Sequence, residues 1–438
     1  MQKLFNPKTI CLVGATDRPG SVGFGIAKNL LQSKKKIYFV NPNREKLLGK
    51  KVYKSIENIN DAIDLCIIAV PAKYVNEIVK QGRDKIRSLI VISAGFKETG
   101  KVKRQKELEQ LVRDNNIDLV GPNCLGIIRN KLNASFAPAT PKFGSIALIS
   151  QSGALIDSII DKSLDKSYGF SFIVSFGNQV GLKIEDFLQF ANKDKQTKVI
   201  GLYIEGVEDG RGLFNALKNI KKPVVVLKGG KTNLGKKAVS GHTAALAGNA
   251  KIYSQAFKQA GAIEVNSLEE MIDMCKCLAW QPKIDNRIGI ITNGGGAGIL
   301  TADYCNELGI NLPELNMSSL WKLRHLPKTY FASNPIDIVG DADSERYQLA
   351  INTLLQQKNI NGLIVIQTLQ IMTESIENAK IVIQAKKRFP DKAIVCAFLG
   401  GKLTQKSIEF LEKNRIPNYS DTIRAVKSIK GLIKEEKR

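Results

Sequence analysis

The 438-residue sequence predicts an α/β protein built from open, doubly wound sheets. Three observations carry this. Short apolar runs recur almost from end to end, each followed by glycine or proline and then by a more polar helical stretch. The runs are apolar throughout rather than alternating, as strands are when helices cover both faces of a parallel sheet. Finally, at roughly 150 residues per domain the length suggests about three domains. Hydrophobic residues make up 43% and charged residues 24%, which excludes a largely disordered chain.

Taken in order, the first runs are TICLVGA, KIYFVNP, LCIIAVPA, LIVISAG and IDLVGPN, all within about the first 125 residues. They predict an N-terminal Rossmann-like domain over residues 1–132. Two stretches read as linkers: 133–144, rich in proline, alanine and small polar residues, and 281–287, short and polar with one proline. The remaining pieces, 143–282 and 286–438, repeat one another. SIALISQSGALI parallels RIGIITNGGGAGIL, IGLYIEG parallels NGLIVIQ, and PVVVLKGGKT parallels AIVCAFLGGKL. Both are therefore expected to be flavodoxin-like, doubly wound domains. The repeat is unequal in one place. The run from 230 to 267 exceeds its counterpart from 401 to 420 by about 18 residues, and the excess includes KKAVSGHTAALAG. Loops carry function on a shared scaffold, so chemistry is expected there.

Composition narrows the class of protein. No apolar run approaches the roughly 20 residues of a membrane-spanning helix. The N-terminus enters a strand-like segment directly, so neither leader nor anchor is expected and the location should be cytoplasmic. Seven scattered cysteines lack the paired spacing of a disulfide framework or zinc site, and buried free thiols are expected. The net charge of +24 would attract polyanions. The lysines are spread along the chain, however, and no helix-turn-helix, aromatic RNA-binding signature or zinc-finger spacing is present. No nucleic-acid partner is expected.

The first turn runs Gly14, Ala15, Thr16, then Gly20, Ser21, Val22 and Gly23. Glycines let backbone approach a phosphate, and the helix start behind them supplies free N–H groups. An NAD site wants an acid at the end of the second strand. Here that strand ends Val40, Asn41, Pro42, which disfavours NAD and suits a phosphorylated adenosine. Three further strand-end loops fall on the same edge: Val70–Pro71, Ser93–Ala94–Gly95 and Asn123–Cys124. Small residues there leave room for an extended cofactor.

Of the two histidines, His325 sits at a polar helical end and is assigned no role. His242 lies among small residues in the longer loop, with no second histidine or cysteine near it in sequence to suggest a metal. An imidazole held at one nitrogen by an acceptor can act as a nucleophile. Glu205, at a strand's carboxyl end, is the chosen acceptor and Glu208 the fallback. Two strand–bend–helix turns could present amides to a phosphoryl group: Ser150, Gln151, Ser152 and Gly153, and Asn293, Gly294, Gly295, Gly296, Ala297 and Gly298. Two such ends facing one histidine would form a phosphate cradle.

At these motifs the sequence resembles the α subunit of ADP-forming acetate–CoA ligase, or NDP-forming acyl-CoA synthetase, in the succinate–CoA ligase superfamily. The resemblance runs through GATDRPGSVG, GPNCLG, ISQSGAL, VSFGNQVG, YIEGVEDG, HTAALAG, ITNGGGAGILTAD and SNPIDIVGDAD. It departs beside the histidine, where Gly241 and Ala244 replace the family's usual small neighbours. The resemblance implies that the first domain binds coenzyme A, that His242 becomes phosphohistidine oriented by Glu205, and that the two helix starts hold phosphate. It implies ATP or ADP with Mg²⁺ on a partner β subunit carrying an ATP-grasp domain, which this sequence has no room for, in an α2β2 heterotetramer. Other readings are a succinate–CoA ligase α-like subunit, a non-catalytic CoA-binding regulatory protein, or an NAD-dependent dehydrogenase.

Overall fold

The computed structural model describes residues 1–243, 248–324, 326 and 331–434; of 240–243, 331 and 332 it describes the backbone alone. His325 lies outside the described residues. The chain forms two compact units, Met1–Leu268 and Glu269–Arg438.

The first unit holds two sheets. Strands β1 (Thr9–Val13), β2 (Lys36–Val40), β3 (Lys46–Leu47), β4 (Lys50–Tyr53), β5 (Ile63–Ile68), β6 (Ile86–Val91) and β7 (Asp118–Val120) align in the order β3-β4-β2-β1-β5-β6-β7. Setting aside the two-residue β3, the parallel strands run 3-2-1-4-5-6, the Rossmann order. β5 is buried at every position, and its one acid, Asp64, accepts from the Lys8 amide at 2.7 Å and pairs with Lys3 at 2.9 Å. The order reverses between β1 and β5, and there the carboxyl ends open a crevice.

The second sheet contains β8 (Gly126–Arg129), β9 (Leu132–Ser135), β10 (Phe143–Ser150), β11 (Phe170–Ser175), β12 (Val199–Ile204), β13 (Val224–Lys228) and β14 (Ile263–Val265). Its order is β14-β13-β12-β10-β11-β8-β9, flavodoxin-like in the five parallel strands. The hairpin β8–β9 pairs antiparallel with β11, so residues 126–135 extend this sheet. The stretch read as a linker thus begins inside β9. Asn133 there is buried and donates from Nδ2 to the Thr140 hydroxyl at 3.0 Å. From the first sheet's helix Val22–Leu31, Asn29 Nδ2 donates to the carbonyls of Ser135 and Ala137 at 3.0 and 2.9 Å.

In the second unit, β15 (Ile288–Thr292), β16 (Phe331–Ala332), β17 (Ile336–Asp337), β18 (Gly362–Gln367) and β19 (Ala393–Phe398) order as β16-β17-β15-β18-β19. A parallel bridge from Cys396 to Asn418 stands where β14 pairs β13 in the other copy. The helix Leu268–Trp280 packs into this unit through the buried ion pair of Lys276 with Glu412 at 2.7 Å. All seven cysteines are buried and unpaired.

Candidate active site

β1 ends at Val13, and Gly14 turns the chain at φ +91°, a left-handed value that favours glycine. A Cβ there would stand 2.4 Å from the Ala69 carbonyl oxygen, so the loop after β5 lies directly against this turn. The helix Val22–Leu31 then begins at Ser21, whose hydroxyl donates to the Arg18 carbonyl at 2.7 Å and accepts from the Phe24 amide at 3.4 Å. Thr16 Oγ1 accepts from the Arg18 amide at 3.3 Å. Asn41, after β2, donates from Nδ2 to the Ala15 carbonyl at 2.8 Å and accepts at Oδ1 from the Asn43 amide at 2.9 Å. Its side chain supports the turn through backbone.

The next strand-end loops are tied to one another. The Ser93 hydroxyl donates to the Val70 carbonyl, and the Asn123 amide donates to the Ser93 carbonyl at 3.0 Å. With the second sheet they enclose a cavity of about 640 Å³. Val22, Val70, Pro71, Ser93, Ala94, Asn123 and Cys124 line it from the first domain, and Gln151, Ser152 and Gly153 from the second. Cys124 donates from Sγ to the Val91 carbonyl at 3.3 Å, and burial pushes its thiol up to about 12, so it stays protonated and unreactive near neutrality. Gly14, Ala15, Thr16, Gly20, Ser21 and Gly23 build the turn beside this lining. Val40, Asn41, Pro42, Gly95 and Ser150 likewise fall outside it.

The turn after β10 is held by one hydroxyl. Ser150 Oγ accepts from the Ser152 amide at 3.1 Å and donates to the Ser152 carbonyl at 2.8 Å. Ser152 then caps the helix Gly153–Ser163 by accepting from the Leu155 amide at 3.4 Å. Gln151 reaches across to the end of β12. Its Oε1 accepts from the amides of Glu205 at 2.6 Å and Gly206 at 3.3 Å, and its Nε2 donates to the Gly206 carbonyl at 3.1 Å.

Glu205 is buried, at 6% exposure. The Tyr203 hydroxyl donates to its Oε1 at 3.4 Å, and burial, reinforced by this carboxylate, pushes that phenol up to about 12. Lys228 Nζ donates to the Glu205 carbonyl at 2.7 Å, and burial draws its amine down to about 8. Glu208, by contrast, has a side chain 86% exposed that pairs with Lys97 at 2.7 Å. Of the two candidate acids, Glu205 is the one built into the strand end. His242 belongs to the helix Asn233–Thr243, which follows β13 and starts where Thr232 Oγ1 accepts from the Gly235 amide at 3.1 Å. The His242 side chain lies outside the described residues.

In the second unit the turn after β15 uses the same device. Thr292 Oγ1 accepts from the Gly294 amide and donates to the Gly294 carbonyl, both at 3.0 Å. Asn293 bridges to the end of β18, accepting from the Thr368 amide at 2.7 Å and donating to its carbonyl at 3.0 Å. The helix Gly295–Glu307 starts there without a side-chain cap, and Gly294 to Gly298 form its first turn.

Asp157 also lines the 640 Å³ cavity and was not singled out by sequence. Burial raises its carboxyl to about 6, and its Oδ1 is buried without a hydrogen-bond partner. One acid within an amphipathic helix reads as a solvated side chain, and only the cavity shows otherwise.

Three family descriptions match in order: a CoA binding domain over 8–130, a succinyl-CoA ligase-like flavodoxin domain over 143–278, and a ligase-CoA domain over 288–434. The α subunit of ADP-forming acetate–CoA ligase II from Pyrococcus furiosus is 38% identical, over 95% of this chain and 93% of its own. The chain belongs to the ADP-forming acetate–CoA ligase family. ADP-forming acetate–CoA ligase I of Archaeoglobus fulgidus is 39% identical over 99% of the chain, which spans 63% of that longer relative. The fold of this family member superposes on a dinucleotide-forming acetyl-coenzyme A synthetase 1 from Candidatus Korarchaeum cryptofilum, solved with phosphate and ADP. The TM-score is 0.93, with 33% identity over 98% of this chain and 96% of the other. The resemblance read from the motifs holds at the level of family and fold.

Proposed function

We propose that this chain is the α component of an ADP-forming acyl-CoA ligase of acetate–CoA ligase type. It would interconvert acyl-CoA, ADP and phosphate with a carboxylic acid, CoA and ATP. One observation carries the reading: the cavity that joins the strand-end loops of the first domain to the helix start at Ser152–Gly153, with Gln151 connecting that wall to buried Glu205. An extended phosphorylated thiol fits this setting. The close turn at Gly14 and the helix start at Ser21–Gly23 present backbone for its phosphates. Val70–Pro71, Ser93–Ala94 and Asn123–Cys124 offer a wall of small residues for its arm.

In this reading a phosphate oxygen attacks the thioester carbonyl carbon, the C–S bond breaks, and the sulfur leaves as thiolate to take a proton. The amides at Ser152–Gly153 stabilise the charge on the resulting acyl phosphate. A His242 ring nitrogen then attacks phosphorus, and the P–O bond to the acyl oxygen breaks, releasing the carboxylate. Glu205 accepts from the other ring nitrogen, fixing the imidazole's orientation and offsetting its charge. A terminal oxygen of ADP finally takes the phosphoryl group as the N–P bond breaks.

Nucleotide and Mg²⁺ are assigned to a partner β subunit carrying an ATP-grasp domain, in an α2β2 assembly in the cytoplasm. One observation supports the partner subunit. The chain covers 93% of a relative that is a separate α subunit. Among the described residues no group of three or more acidic, histidine or cysteine side chains is gathered to hold a metal, and no helix is long and apolar enough to cross a membrane. The test is to incubate the chain and its β subunit with Mg²⁺ and ATP labelled on the terminal phosphate. Acid-labile label is expected on this chain and not on His242→Ala; label retained by the variant would reject the nucleophile.

A further inference from the structure

Asp157 is the one charged residue among the described side chains that line the 640 Å³ cavity. No lysine, arginine or histidine accompanies it there; its neighbours are apolar, such as Val22, Val70, Leu125 and Phe136, or neutral and polar. It sits four residues after Gly153 on the helix Gly153–Ser163, hence on the same face and about 6 Å further along the axis. Its Oδ1 is buried and meets no donor. Burial raises its carboxyl only to about 6, so the side chain is still an anion at neutral pH. A buried carboxylate oxygen is ordinarily hydrogen-bonded, because leaving it without water or donor is costly, and the rest of this side chain is only half-buried. Here the unmet oxygen belongs to a side chain that lines the cavity assigned above to the thioester.

The two ends of this short stretch of helix act oppositely on a ligand. Its start draws negative charge toward the amides of Ser152–Gly153. One turn on, Asp157 repels it. A reacting carboxyl or thioester at the helix start would therefore direct the far end of its acyl chain toward a fixed negative charge. We infer, resting on the ligase reading above, that Asp157 sets acyl-group specificity, rejecting acids that carry a second carboxylate and favouring those whose far end is neutral or donates a hydrogen bond.

The test compares thioesters of equal chain length and needs no turnover. Calorimetry would measure butyryl-CoA, succinyl-CoA and 4-hydroxybutyryl-CoA binding to the full chain with its β subunit. Wild type, Asp157→Asn and Asp157→Ala would be compared, with circular dichroism to verify folding. Wild type should bind butyryl-CoA roughly a hundredfold more tightly than succinyl-CoA, the size expected for two unit charges about 6 Å apart and partly screened. Both variants should bring that ratio to within about threefold, and the alanine variant should also lose affinity for 4-hydroxybutyryl-CoA. An unchanged ratio in either folded variant, or no discrimination by wild type, overturns this inference and leaves the ligase reading standing. Failure to bind any of the three thioesters rejects that reading and this inference together.

Discussion

Replacing Gln151 with alanine should loosen the Glu205 strand end without touching Glu205 itself. In the folded protein this amide side chain satisfies three backbone groups: the Glu205 amide at 2.6 Å, the Gly206 amide at 3.3 Å and the Gly206 carbonyl at 3.1 Å. A lost hydrogen bond costs about 1 kcal/mol, and more where its partner stays buried and unpaired. The Gly206 bonds are the longer ones and the loop is only part-buried, so water can replace some of what is lost. The working figure is therefore about 2 kcal/mol for opening this turn, or roughly a thirtyfold rise in the open population. Hydrogen–deuterium exchange resolved to the Glu205 and Gly206 amides would read that factor directly. Transfer of labelled phosphate to the chain should slow by roughly ten- to a hundredfold, because small misplacements of a reacting group are costly. Gln151→Glu, which keeps the acceptor but not the donor, should fall between wild type and alanine. Unchanged exchange at both amides in the alanine variant would show that Gln151 does not hold this strand end, and the link from cavity to Glu205 would be broken.

Two further outcomes follow from buried cations. Lys276→Ala strands Glu412, which pairs with Lys276 at 2.7 Å and whose side chain is 10% exposed, so the second unit should lose about 3–5 kcal/mol, seen as a lowered melting temperature. Lys276→Met with Glu412→Leu should recover most of it; a single variant as stable as wild type would show the pair to be worth nothing. Lys228 concerns pH. Burial draws its amine down to about 8 from an ordinary 10.5, with Lys231 and Lys236 adding to the shift and Glu205 and Glu264 opposing it. Between those two values the unfolded chain holds the extra proton, so this group's contribution to stability rises with pH across about 8 to 10.5. Wild type should therefore gain a few degrees of melting temperature over Lys228→Met between pH 7.5 and pH 10; a gap that stays constant would contradict the lowered value.

What could be read from sequence divides by the physics that writes it. A strand covered on both faces carries a continuous apolar run, so residues 10–13 of β1, 65–68 of β5 and 146–149 of β10 announce themselves, and the parallel of 145–156 with 287–300 shows the duplication. The hairpin 126–135 does not. Its strands are short and carry Arg129, Asn133 and Ser135, whose polar groups are met by distant partners such as Asp194 and Asn29. Helix Leu268–Trp280 was grouped with the chain before it, yet its burial is paid by Glu412, Asn418 and Arg424, more than 130 residues on. Glu205 was legible because a strand end fixes where it points. Asp157 was not, since only the opposing loops give it a cavity to face.

The duplication also separates scaffold from chemistry. Both flavodoxin-like copies close their first turn with a hydroxyl bonded to the amide and carbonyl two residues on, and both span to the third parallel strand with a side-chain amide. These groups are spent on backbone, so in either copy a phosphoryl group would be met chiefly by the amides of the helix start. The register shows where the copies part. Ser150 lies opposite Tyr203 and Thr292 opposite Ile366, which makes Thr368 the counterpart of Glu205. The second copy thus has the frame with a neutral hydroxyl where the first has a buried acid, and it lacks the long insertion containing His242. A turn that presents free amides can be inherited by both copies; an imidazole needs an acceptor to orient it, and of the two copies the one with the insertion has an acid at this position. The coincidence of acid and insertion in one copy supports the proposed pairing of Glu205 with His242.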